Sequence, residues 1–218
     1  MSSADSLIFE LTSFPFKPAK SLHIIAQELD SFSDLSELQT KIETDDGTLE
    51  YISVRQNKSS NDRILVDQRG TERISTTYFS GPWRDPVLAR LNIAESGLTG
   101  DGHDAAQINS SSKWMSRSHT FTLPNGQKYM WAYEREQEFV REGKITSAIV
   151  LSHCDTPVAA LIRNKEMWSS GIASCTAENR GNLLLGQSVG DDVGLADEAF
   201  VIASCLVMLR LEVDRQRA

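Results

Sequence analysis

Cysteine, runs of positive charge and long apolar stretches are all scarce in this sequence. Only three cysteines, Cys154, Cys175 and Cys205, occur among 218 residues. Their odd number, without a CxxC pair or a histidine-rich neighbour, argues against a disulfide framework or a structural zinc ribbon. Lysine and arginine number 22 against 30 aspartates and glutamates, a formal charge of -8. No basic cluster offsets that sign, so nucleic acid is not an expected partner. The opening MSSADSLIFELTSF lacks the basic start and longer apolar run of a secretory signal. No segment reaches the ~18 apolar residues of a membrane span, so no transmembrane segment is expected. The chain is read as cytoplasmic, and as one domain over residues 1–218. Its oligomeric state leaves no trace in the sequence.

Short β-prone runs separated by turn residues dominate the first 194 positions. KIETDDGTLEYISVR turns at Asp46-Gly47, and RILVDQRGTERISTTYF turns at Gln68-Arg69-Gly70. SHTFTLPNGQKYMWAYER carries Asn125-Gly126, whose tolerance of positive φ predicts a type I′ hairpin. A fourth hairpin, TSAIVLSHCDTPVAALIRN, turns at Cys154 to Thr156. Successive hairpins without strand-helix alternation predict an antiparallel meander. KPAKSLHIIAQELD fits either a strand or a helix, whereas residues 94–113, AESGLTGDGHDAAQINSSSK, read as a long flexible loop.

The last element is unlike the rest. From Ala199 to Leu209 only Ser204 is polar, so a helix over 195–216 has no polar face. Such a helix is too short and too closely flanked by charge to cross a membrane, and must be enclosed by protein. Asp197 and Glu198 fall at its start while Arg210, Arg215 and Arg217 fall toward its end, the polarity that suits a helix dipole. A meander closed into a barrel around this helix would pair its strand edges and bury the helix together.

The ending GLADEAFVIASCLVMLRLEVDRQRA, preceded by CTAENRGNLLLGQ, resembles the tubby C-terminal-like superfamily, which includes the LURP-one-related and scramblase-like proteins. More narrowly it resembles a group of small fungal proteins. The resemblance extends from about Leu7 to the C-terminus. It implies a mainly β (α+β) fold, a closed antiparallel β-barrel around a central hydrophobic C-terminal helix. The basic phosphoinositide-binding stretch of the tubby proteins proper is missing here, and no acidic calcium loop matches the scramblases.

His119 and His153 are the acid/base candidates, because imidazole titrates nearest neutral pH. Strand parity sets His119 with Phe121 and Leu123, and His153 with Ile149 and Leu151, so both would enter the barrel if those faces point inward. His103 would add a third nitrogen for zinc, but the spacing is no metal motif, and no cofactor is expected. Cys154 adjoins His153, yet neighbouring strand residues face opposite ways, which argues against a cysteine-histidine pair. Tyr129, Trp131 and Tyr133 share one strand face, where they would either stack on a ligand or pack the core. Trp83 and Arg84 stand between two prolines, where Arg84 could hold a carboxylate or phosphate. Gly186-Gln187-Ser188-Val189-Gly190 matches a nucleophile elbow in spelling, but no histidine follows it to complete a triad.

Two function classes follow. One is a barrel of fungal secondary metabolism that binds a small organic molecule, with His119 and His153 serving a cofactor-free cyclisation, isomerisation or elimination. The other is a non-enzymatic adaptor binding lipid, a phosphoinositide or another protein, which rests on fold analogy.

Overall fold

The computed structural model describes residues 16–27, 39–56, 60–79, 85–91, 107–112, 118–133, 139–141, 144–164, 181–190 and 196–217. These form thirteen strands and one helix. The strands are β1 (Pro18–Gln27), β2 (Gln39–Thr44), β3 (Leu49–Arg55), β4 (Arg63–Asp67), β5 (Glu72–Thr77), β6 (Val87–Arg90), β7 (Gln107–Ser112), β8 (His119–Thr122), β9 (Lys128–Tyr133), β10 (Phe139–Arg141), β11 (Lys144–His153), β12 (Thr156–Asn164) and β13 (Asn182–Gly186); the helix is α1 (Glu198–Arg217).

Strand follows strand around the sheet in chain order from β1 to β9, antiparallel throughout. β9 then pairs with β11, and β13 pairs back with β1. Twelve strands thus close a ring, and β10 extends β11 as a hairpin arm. Closure leaves the ring no free edge. The ambiguous N-terminal segment is β1, a strand, because it bridges β13 and β2 and so completes the wall.

Alternation along each strand decides which side chains point inward. Leu22, Ile24, Ile42, Leu65, Ile74, Leu88, Ile108, Phe121, Trp131, Leu151 and Leu161 are all buried, and they pack on Phe200, Val201, Ile202, Cys205, Val207 and Met208 of α1. The expected enclosure of the apolar helix is therefore what the barrel provides. Glu198 at its start and Leu206, Arg210 and Leu211 further along are its half-buried members among the residues whose burial is described. Asp197 caps the helix by accepting a hydrogen bond from the Phe200 amide at 3.2 Å, so α1 starts at Glu198, three residues later than expected.

Two local expectations are corrected. Residues 107–112, read as part of a loop, form β7 between β6 and β8. A closed wall asks for only one inward apolar side chain there, Ile108. Two of the serines that follow it are tied down instead, Ser110 to the Pro86 carbonyl and Ser112 to the Asp85 carboxylate at 2.8 Å. Residues 94–106 lie outside the described residues. The Asn125-Gly126 turn is not type I′, because Gly126 takes positive φ (82°) and Asn125 does not. Pro124 holds the first turn position at negative φ, and the Gly126 amide bonds back to the Leu123 carbonyl at 2.9 Å, a type I turn closed by a glycine bulge. The turns at Gly47 and Gly70 repeat this pattern.

Candidate functional site

The site is built on three neighbouring strands, β8, β9 and β11. Their register lines up two rows of inward side chains: Phe121, Tyr129 and His153 in one, His119, Trp131 and Leu151 in the next. The helix advances in step with them. Phe200 packs edge-on against Tyr129 and Phe121, with ring centroids 5.2 and 6.0 Å apart. One turn further, Ser204 accepts a hydrogen bond from Trp131 Nε1 at 2.9 Å and itself donates to the Val201 carbonyl. Four helical residues rise about 6 Å and two strand residues about 6.6 Å, so each row meets one turn of α1.

These rows settle where the candidate residues lie. His119 is in the deeper row, fully buried with both ring nitrogens, its ring 5.0 Å from that of Phe121. His153 is at the mouth, half-buried, in the same row as the start of α1. Parity had both entering the barrel from one wall, and register places them one row apart. Tyr129 and Trp131 are buried against the helix, while Tyr133 is half-buried and packs against the core. Trp83, Arg84 and His103 lie outside the described residues. No three metal-ligating side chains converge among the described residues.

His153 is held in one orientation by two contacts. Its ring stacks on Tyr129 with centroids 4.7 Å apart and planes 24° apart. Its Nδ1 lies 2.9 Å from the Lys128 carbonyl oxygen. A carbonyl only accepts, so Nδ1–H donates, and in the neutral ring Nε2 keeps the lone pair. That nitrogen faces Cys154, whose thiol donates toward it across 3.7 Å.

This last contact overturns the expectation from strand alternation. Alternation holds only while the chain stays extended, and it ends at His153. Cys154 and Asp155 take φ of 47° and 61°, the two left-handed positions of a type I′ hairpin between β11 and β12. The turn swings the exposed thiol back over the ring of the preceding residue. The hairpin stands where the sequence placed it, but no glycine or asparagine marks its left-handed positions, so its type was not readable.

Charge surrounds the same mouth. Arg90 on β6 pairs with Asp197 at 3.0 Å, and Lys20 on β1 pairs with Glu198 at 2.9 Å and with Glu50 on β3 at 3.3 Å. Burial alone would lower the Lys20 ammonium, but Glu198 and Glu50 outweigh it and hold it above its ordinary range. Burial pushes the Tyr129 phenol up; the Arg90 guanidinium pulls the other way and Cys154 adds to the rise. The mouth therefore presents an oriented base, an exposed thiol and a ring of paired ions. Such a set can move a proton or activate a sulfur nucleophile.

No protein-family model matches the chain, and no curated protein is significantly similar to it. Among solved structures it is similar to an Arabidopsis thaliana protein of known X-ray structure, with a TM-score of 0.46 and 13% identity over 90% of this chain and 94% of that one. No helix of the described residues is long and apolar enough to cross a membrane.

Proposed function

We propose that this chain is a tubby-like barrel of the kind resembled in small fungal proteins, and that it binds a small organic molecule at the mouth where α1 begins. His153 is the acid/base group of a cofactor-free isomerisation, elimination or cyclisation. The observation that carries the proposal is the contact of Nδ1 with the Lys128 carbonyl at 2.9 Å, which leaves Nε2 as a base of defined direction. Nε2 takes a proton from one atom of the ligand and returns it to another, a sequence that balances without an oxidant or reductant. The stacked Tyr129 ring keeps the imidazole from rotating away. His119, sealed a row deeper, makes no contact with the ligand in this proposal.

Native mass spectrometry of the full chain after exposure to a fungal metabolite extract supplies the test. A bound organic mass that is lost on denaturation, and is turned over by the native chain, is the expected result. His153→Ala should then lower that turnover by about 10²- to 10⁴-fold, the usual share of a positioned acid or base. A chain that carries only its own mass throughout, or a captured compound turned over equally well by His153→Ala, would overturn the proposal.

A further inference from the structure

We infer that Cys154 is a thiol-modification site, which His153 activates toward small uncharged disulfides. Three parts of a nucleophile assembly meet here: the thiol, the base that faces it at 3.7 Å, and the Lys128 carbonyl that sets the base's tautomer at 2.9 Å. Neighbours in sequence rarely meet this way. They do so only because Cys154 and Asp155 hold left-handed backbone that other side chains adopt at a cost. The thiol is also open to solvent, unlike Cys205, which lies fully buried in α1.

The reaction is a thiol-disulfide exchange. His153 Nε2 takes the thiol proton, and the Cys154 sulfur attacks one sulfur of the incoming disulfide. The old sulfur-sulfur bond breaks as the new one forms, and the departing thiolate recovers the proton from the imidazolium. Cys154 is oxidised and the leaving half of the reagent is reduced, so electrons balance within the pair. Asp155 beside the thiol and the chain's net charge of -8 disfavour anionic disulfides, which is why the uncharged class is named. The inference stands whether or not His153 also serves a bound ligand, because it concerns sulfur chemistry without turnover.

The test uses the reduced full chain with 2-hydroxyethyl disulfide, followed by peptide mapping. A synthetic peptide of residues 149–160 carries the same thiol without the fixed turn. Cys154 in the folded chain should form the mixed disulfide at least about tenfold faster than the peptide, and His153→Gln should remove most of that advantage. Equal rates for folded chain and peptide would overturn the inference, as would a folded His153→Gln chain that reacts as fast as the native one. Should the variant not fold, the comparison of native chain with peptide decides alone.

Discussion

At the scale of single residues, the interior is held to one arrangement by a few polar contacts inside an apolar fill. Trp131 Nε1 has Ser204 Oγ as its acceptor at 2.9 Å, and both side chains are fully buried. Ser204→Ala should therefore cost about 1–3 kcal/mol, the penalty of stranding a buried donor. Urea unfolding would register it as a lower midpoint at unchanged slope. At the surface, burial pushes the Asp67 carboxyl up, but the amides of Thr71 and Arg69 and the Arg73 guanidinium outweigh it and hold the group below its ordinary range. The folded chain thus binds this proton less readily than the unfolded one. Its contribution is present above the unfolded value of about 3.9 and is lost as pH falls through the lower folded value. Asp67→Asn should accordingly be less stable than wild type at neutral pH and lose less stability on acidification, measured by urea midpoints across that range. Residue-level chemistry was only partly legible in the sequence. Parity set the face that His119 and His153 share, but their rows follow from register, and the Cys154 contact depends on the left-handed form of a turn whose position alone was legible.

At the scale of elements, the helix and the turns carry the information. An eleven-residue stretch from Ala199 to Leu209 with Ser204 as its sole polar member announced a buried helix, and burial of Phe200, Val201, Ile202, Cys205 and Met208 follows from it. Its start was harder to place, because Asp197 and Glu198 suit either a cap or a first turn. Asp197 proves to be the cap. Asp197→Ala removes both that cap and the partner of Arg90, and should lower stability by about 1 kcal/mol, chiefly through the lost cap. Thermal denaturation followed by circular dichroism would check it, and an unchanged midpoint would mean the cap is energetically idle. The hairpins show the opposite balance. Glycine at three turns was readable, but the type at Asn125-Gly126 was set by Pro124 just before it. The strand Gln107–Ser112 was hidden because a closed wall needs so little apolar pattern from any one member.

At the scale of the whole molecule, one closed wall around one helix explains both the stability and the placement of the site. The first and last strands of the ring, β1 and β13, pair in five registered positions, so closure joins segments far apart in sequence. Nothing local announces such a contact; the need to cover a helix with no polar side, together with the resemblance of the chain's ending, made it foreseeable. The same closure seals His119 inside and leaves His153 and Cys154 at the mouth. Two cysteines mark these two environments directly: Cys205 in the enclosed helix and Cys154 on the rim. Native-state alkylation of the full chain with iodoacetamide, read by peptide mapping over time, measures both together. Cys154 should label promptly, and Cys205 at least about a thousandfold more slowly, because it is reached only when the barrel opens. Equal labelling of the two thiols in the native chain would contradict the enclosed helix.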